Sequence, residues 1–333
     1  MKATNLEIGV IVTMRAAVEK DGEIAIPAAV FASIIDGMEG KKIILEKKGN
    51  NIAITTENCS ATVNGVNAKE FPLIPIIKGD VFLKISGRSI ARSIEQVLPS
   101  MAVSSMRPDL AGVFVVQNEE GVSFVATDGF RLSEKKIFNK KASQGTGDVM
   151  SMIIPGKTAS EIARIFDSRE DSIELLVGEN QLAVKAGEIY LVSRVIDGNF
   201  PDYTQIIPKT HKTRASINKD ALVSAIKLAA VFADSTTNDI TLRFKPKGGI
   251  LSVSTQSQNT GNLLKDVKGK IEGDSNTIVL NYRYLLDGVM CAEGKNVNIL
   301  IGEESAPIMV MDGEEGGKPA TFMYLISPIK KQQ

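Results

Sequence analysis

The sequence predicts an α+β protein of three repeated domains, each built from two similar βαβββ-like halves, with the first domain incomplete. Three observations carry that reading. Segment starts recur at one spacing: Ile26-Pro27 to Ile154-Pro155 is 128 residues, Leu280-Asn281 follows 126 later, and Phe71-Pro72 to Phe200-Pro201 is 129. A period of about 127 is too long for a solenoid and suits whole domains. The order of elements repeats with the same period. So does a turn: an apolar strand enters a tight Asp-Gly turn and leaves again at Val125-Ala126-Thr127-Asp128-Gly129-Phe130-Arg131-Leu132. Its relatives are Ala3-Thr4-Asn5-Leu6-Glu7-Ile8 and Ser254-Thr255-Gln256-Ser257-Gln258-Asn259. The domain boundaries that follow are 1–78, 79–208 and 209–333.

In chain order, Leu6, Ile8, Val10 and Val12 alternate as a strand, and 23–26 form another after the turn at Asp21-Gly22. Pro27 opens a helix in which Phe31, Ile34, Ile35 and Met38 make one apolar stripe, ended by Gly40. A hairpin over 42–47 and 51–56 turns at Gly49, a strand covers 61–63, and Phe71-Pro72-Leu73-Ile74-Pro75 closes the segment. The middle third opens with a strand over 80–85. A helix over 87–101 follows, with Ile90, Ile94, Val97, Leu98 and Met101 on one side and Arg88 and Arg92 on the other. Strands over 112–116, 122–127, 131–137 and 149–154 come next. Pro155 opens a helix with Thr158 and Glu161 at capping-box spacing, and strands over 172–177, 181–186 and 189–195 lead to Phe200-Pro201-Asp202-Tyr203. In the last third Asn218 caps a helix striped by Leu222, Ile226, Ala229 and Phe232. Strands over 240–244, 250–254, 263–268 and 276–280, a helix through Tyr284, Leu285 and Val289, and strands over 297–301, 308–311 and 321–326 complete it. By this count the first copy lacks its opening half, which we read as a start placed downstream of the true one rather than a naturally shortened domain.

The composition limits the function classes. With 333 residues, 43% of them hydrophobic, each domain has material for its own core. Lys plus Arg and Asp plus Glu each number 39, so any nucleic-acid contact must come from local segregation of charge. Cys59 and Cys291 stand far apart with no ligand-spaced neighbours, which argues against a disulfide framework and a zinc site. No cofactor is expected. A start without an apolar signal core and the lack of a spanning run point to a cytoplasmic protein.

With the repeat in view, the sequence resembles the bacterial sliding clamp family, the β subunit of the replicative DNA polymerase III. The resemblance runs from Ala3 to Lys330. Its marks are Ala126-Thr127-Asp128-Gly129-Phe130-Arg131-Leu132, Asp197-Gly198-Asn199-Phe200-Pro201-Asp202-Tyr203, Tyr284-Leu285-Leu286-Asp287 and Tyr324-Leu325-Ile326-Ser327-Pro328-Ile329. It implies the DNA-clamp fold, with helices lining an inner face and sheets outside. It also implies a head-to-tail homodimeric ring that encircles duplex DNA without sequence specificity and acts as a processivity factor. A chain lacking the opening half-domain is expected to pair more weakly than one that has it.

Three sites follow from the resemblance. By charge spacing alone, Arg88, Arg92, Lys157, Lys219 and Lys227, with Arg107 in a loop after a helix, make a solvated helix face. The resemblance implies that this face meets the DNA, where cations attract phosphates without reading bases. The second site is a groove for short linear motifs of the replicative polymerase α subunit, the clamp-loader δ subunit and other clamp-motif proteins, including repair factors. Its implied wall is Leu110, Thr127, Gly129, Phe130, Arg131, Leu132, Pro201, Gln205 and Ile206, facing Asn281, Tyr284, Ser305, Pro307, Leu325, Ile326, Ser327, Pro328 and Ile329. Phe130 stands where the family often has His or Tyr, and Gln205 where it often has Arg. Read without the resemblance, most of the apolar members are as readily core, and Gly129 simply permits the turn. The third site is the ring seam, with Ala61, Thr62 and Val63 against Val231 and Phe232 of the other chain.

Two other classes compete. A phosphate-handling hydrolase would use Asp128, but the one histidine, His211, sits in a Lys-Thr-His-Lys-Thr linker, and no phosphate loop, nucleophile elbow or paired metal carboxylates stand at a recognisable spacing. A repeat adaptor that binds proteins but not DNA would share the groove and lack the positive inner face.

Overall fold

A strand with one dry face still carries unpaired amides and carbonyls along its edges, and here antiparallel neighbours satisfy them. The computed structural model describes residues 1–333 apart from 41, 104–105, 119–120, 139–149, 258–259, 304–305, 314–319 and 330–333. The chain runs β1 (Lys2–Thr4), β2 (Ile8–Val12), α1 (Ala28–Gly37), β3 (Ile44–Lys48), β4 (Asn51–Thr55) and β5 (Ser60–Asn64). It continues with β6 (Asp80–Ser86), α2 (Gly87–Val97), β7 (Gly112–Asn118), β8 (Gly121–Thr127), β9 (Arg131–Phe138), β10 (Met150–Pro155), α3 (Gly156–Phe166), β11 (Ser172–Val177), β12 (Gln181–Ala186) and β13 (Ile189–Arg194). The last part is β14 (Thr213–Asn218), α4 (Lys219–Ala230), β15 (Asp239–Lys245), β16 (Ile250–Ser257), β17 (Gly261–Gly273), β18 (Asn276–Asn281), α5 (Tyr282–Cys291), β19 (Asn296–Ile301), β20 (Ile308–Asp312) and β21 (Phe322–Ile326). The chain forms two compact units, Met1–Val81 with Glu174–Arg194, and Phe82–Ile173 with Val195–Gln333. No helix among the described residues is long and apolar enough to cross a membrane.

In the first unit β1, β2, β13, β12 and β11 lie side by side. β2 meets β13 with Ile8 opposite Ser193, Val10 opposite Leu191 and Val12 opposite Ile189. A second sheet, β3-β4-β5, packs against α1: Ile52, Ile54 and Val63 are buried, with Phe31, Ile34, Ile35 and Met38 partly buried over them. No residue of α1 is fully buried, and every residue of β3 is exposed. Leu6 does not continue the strand expected from alternation, because it turns the chain at φ 74°. The expected strand over 23–26 reduces to one bridge, Ala25 to Val66.

The second unit carries one twelve-stranded sheet in the order β10-β7-β8-β9-β21-β20-β19-β14-β17-β16-β15-β18. It is continuous because β9 pairs with β21, Arg131 opposite Ile326, Leu132 opposite Leu325 and Ser133 opposite Tyr324. Local chemistry starts each helix. The Ser86 hydroxyl accepts from the Ser89 amide at 3.2 Å ahead of α2, and the Asn218 side chain accepts from the Ala221 amide at 3.0 Å ahead of α4, as expected for that asparagine. The helix expected over 87–101 ends at Val97 and finishes in a 3-10 turn, Leu98–Ser100, since Pro99 has no amide hydrogen to continue the ladder. The expected capping box at Thr158 does not form. α3 begins earlier, at Gly156 behind Pro155, so Thr158 lies buried inside the helix and Glu161 pairs with Arg164 at 2.6 Å. Under α4 and α5, Leu222, Ile226, Phe244, Leu285, Phe322 and Tyr324 share one core, each contributing roughly 1.5–3 kcal/mol by leaving water.

The β9–β21 junction is locked beyond its ladder. Lys135 Nζ on β9 donates to Glu293 Oε2 at 3.3 Å and to Thr321 Oγ1 at 2.8 Å, and lies 4.0 Å from Asp312. Arg92 on α2 donates to Glu293 Oε1 at 3.0 Å, Gln96 Nε2 donates to Cys291 O at 2.7 Å, and the Ser100 and Ser133 hydroxyls lie 2.5 Å apart. Burial opposes the Glu293 charge, but Arg92 and Lys135 outweigh it and hold the carboxyl below its ordinary value of 4.5. A carboxyl with a depressed folded pKa stabilises fully above its unfolded value and loses that contribution as pH falls through the folded one. Urea unfolding between roughly pH 7 and pH 3 is therefore expected to show a shallower acid loss in Glu293→Gln than in the unaltered chain, from a lower plateau.

Candidate functional site

Thr127 and Asp128 build the turn between β8 and β9. Thr127 Oγ1 donates to Arg131 O at 2.7 Å and accepts from the Gly129 amide at 3.1 Å, while Asp128 Oδ1 accepts from the Phe130 and Arg131 amides at 2.9 and 3.0 Å. Gly129 sits at φ 89°, a conformation open to glycine at no steric cost. The result ejects Phe130, which is 64% exposed, and sends Arg131 inward. Thr4-Asn5-Leu6-Glu7-Ile8 makes the same four bonds in the first unit. In the third expected copy, Gln258 and Asn259 fall outside the described residues.

Arg131 gathers the site. Its guanidinium donates to Asp128 Oδ2 at 2.9 Å, Asp287 Oδ2 at 2.5 Å and the Tyr324 hydroxyl at 3.4 Å, and stacks 4.3 Å from the centre of the Tyr284 ring. Burial works against its charge, yet Tyr324, Asp287 and Asp128 outweigh it and hold the group above the ordinary arginine value. Burial, opposed by Arg131, pushes the Tyr324 hydroxyl up. On the next wall Phe200 stacks on Phe114 at 4.7 Å, and the Tyr203 hydroxyl donates to Glu134 at 2.7 Å. These bonds seat the turn Tyr203–Ile206, where Gln205 Nε2 donates to Asp202 at 2.8 Å and Ile206 is half-exposed. The chain leaving β21 closes the other side. The Ser327 amide donates to Phe130 O, and the Ile329 amide to Val279 O, both at 2.9 Å.

These contacts sort the expected groove residues. Phe130, Pro201, Gln205, Ile206 and Ser327 are exposed, and Arg131, Asn281, Tyr284, Pro307, Pro328 and Ile329 are partly so. Leu110, Thr127, Leu132, Leu325 and Ile326 are buried. Leu132 and Leu325, opposite each other in the β9–β21 ladder, are buried in one cluster over which Phe114, Phe200, Tyr203 and Ile207 pack. Ser305 lies outside the described residues. Asp287 and the Tyr324 hydroxyl, which hold Arg131, were not among the expected residues, although both sit in the motif segments singled out from the sequence. Asp128 spends its carboxylate on its own turn and on Arg131. Among the described residues no group of three or more His, Cys, Asp and Glu could hold a metal ion.

The expected DNA-facing cations are largely engaged. Arg88 pairs with Glu170, Arg92 with Glu293, and Arg107 with Asp109 at 2.8 Å. Lys219 Nζ donates to Met290 O and Ala292 O at 2.9 and 2.6 Å, closing the C-terminal end of α5, and Lys227 is exposed in the last turn of α4. Lys157 lies in the first turn of α3. Arg164 and Arg283, also on helices, were not among the expected cations. At the expected seam, Val63 faces its own unit's core, Ala61 is partly buried and Thr62 exposed, so β5 offers mainly its backbone edge. Val231 is 69% exposed, and Phe232 lies over the start of β17.

Residues 84–202 match the family described as DNA polymerase III beta subunit, central domain, and residues 204–326 the one described as DNA polymerase III beta subunit, C-terminal domain. The chain is 25% identical to the beta sliding clamp of Synechococcus elongatus, covering 99% of this chain and 87% of that protein. It is 26% identical to that of Bacillus subtilis, covering 94% and 82%. The DNA polymerase III beta subunit of Thermotoga maritima superposes with a TM-score of 0.89 at 20% identity, and the Bacillus subtilis sliding clamp with 0.87 at 23%. The two superpositions cover 99% of this chain and 88% of each of those. Both show the clamp fold.

Arg131→Ala is expected to lower stability by about 1–3 kcal/mol, since it strips two carboxylates of their cation and Tyr284 of its stacking partner. Arg131→Lys should recover only part, because one ammonium cannot serve both carboxylates and the ring. Urea unfolding of the three proteins measures both.

Proposed function

The chain belongs to the DNA polymerase III beta subunit family, and from that premise we propose that it works as a processivity clamp: two copies pair head to tail, close around duplex DNA and tether partner proteins through the groove at Phe130. One observation carries this reading. The β2–β13 junction and the β9–β21 junction have the same register, with Ile8 and Ser193 standing to one as Arg131 and Ile326 stand to the other. The strands that would make a third such junction each have a neighbour on one side: β5 pairs with β4, and the first part of β17 pairs with β16. An edge of unpaired amides recruits a strand, and in our reading each of these two is satisfied by the other in a second copy. Pairing at both ends of both chains is closed twofold symmetry.

Encirclement removes the need for adhesion. Three of the helix cations, Arg88, Arg92 and Arg164, pair with nearby acids, which suits a protein that must slide. Partner peptides would lay apolar side chains against Phe130 and Ile206, with Gln205 held by Asp202 as a neutral polar anchor in place of a cation. Replicative polymerase and clamp loader are the partners this groove suits.

Loaded by a clamp loader onto nicked circular DNA, the chain should stay bound through a salt wash and be lost when the circle is cut. It should also extend the products of primer extension. An adaptor would bind neither circle nor line and leave product length unchanged. Phe130→Ala and Ile206→Ala are each expected to weaken a polymerase-derived clamp-motif peptide by about tenfold without moving the unfolding midpoint. Unchanged affinity by calorimetry would remove those two residues from the groove.

A further inference from the structure

The lock at the β9–β21 junction has a counterpart whose parts are divided between the two units. Ladders fix the equivalence. Val113 opposite Ile154 corresponds to Ile240 opposite Leu280, and two residues on, Val115 opposite Phe124 corresponds to Leu242 opposite Val253. Phe124 faces Lys135, and Val253 faces Lys265. Lys265 thus holds the place of Lys135. The helix caps Ser86 and Asn218 place Ser224 where α2 has Arg92. On the acidic side, Glu293 is the second residue beyond α5 and precedes Gly294 at φ 90°. Glu39 is the second residue beyond α1 and precedes Gly40 at φ 136°. Bridges Ile153 to Ile196 and Ala25 to Val66 align β13 with β5, so Val63 holds the place of Ile326, and Thr56 that of Asp312.

Charge balance follows this equivalence. The β9–β21 junction sets two cations, Arg92 and Lys135, against two carboxylates, Glu293 and Asp312. At the split copy Ser224 and Thr56 remove one of each and leave Lys265 against Glu39. Both are exposed, and among the described residues neither has an ion pair. We infer that Lys265 forms an ion pair with Glu39 of a second copy, with β17 and β5 in the register that sets Gly261 opposite Val63 and Leu263 opposite Ala61. This rests on the head-to-tail pairing proposed above and specifies which side chains fix its register. A charged pair at the rim of such an interface sets alignment and excludes slipped pairings, because a one-residue slip turns every side chain to the other face.

Sedimentation equilibrium of the full chain tests this with Lys265→Glu, Glu39→Lys and the double exchange. Both positions are exposed, so circular dichroism should be unchanged. Each single reversal is expected to raise the dimer Kd at least tenfold and the double exchange to return it to within about threefold of the starting value, with the rescue fading at high salt. A dimer indifferent to the single reversals, or a double exchange as weak as the worse single, overturns the pair while leaving head-to-tail closure standing. An unaltered chain that stays monomeric at every concentration overturns both.

Discussion

A strand edge cannot be left dry and unpaired, and the second unit depends on that constraint at one place, the β9–β21 ladder. It joins strands about 190 residues apart into one sheet. The arrangement around Phe130 and Arg131 exists because of it. The turn that starts β9 throws Phe130 outward, and the tail that leaves β21 runs back past Phe130 to β18. Arg131, the first residue of the ladder, is thereby brought against Asp287 and Tyr284 of α5. A register shifted by one residue would put Arg131 on the other face and dissolve the site.

Electrostatics divides between structure and surface. Arg88, Arg92, Arg107 and Lys219 each meet a carboxylate or a carbonyl of their own chain, and exposed pairs of this kind contribute little to stability. A protein that grips phosphates strongly would stall on them, whereas one that is topologically linked to DNA needs only to avoid repulsion. The buried charges at Lys135 and Asp312, with the half-exposed Glu293, serve a separate purpose, since they tie β9 to the segments that follow α5 and β20.

Much of this was legible in the residues. The Asp-Gly turn and the Asn218 cap are short-range signals, and they read correctly because hydrogen bonds within four residues make them. The failures are instructive in the same terms. Leu6 looked like one more alternating strand residue but occupies the position of Gly129, where the Thr-Asn side chains bend the chain whatever follows. Thr158 had the spacing of a cap, and Pro155 had already started the helix. Leu132, Leu325 and Ile326 belong to the motif segments and are buried, on alternate faces of the sheet, which motif membership does not tell.

The sequence by itself determined the modular plan: the period, the order of elements, the turn chemistry and the family. Only the tertiary structure decided which edges meet, and therefore that Asp287 and Tyr324 hold Arg131, that Lys135 answers Glu293, and that Lys265 and Glu39 are left facing solvent. The reason is separation along the chain. Spacing within a turn or a helix is written in neighbouring residues, whereas partners 156 or 193 positions apart are chosen by the register of a ladder, which no local pattern encodes.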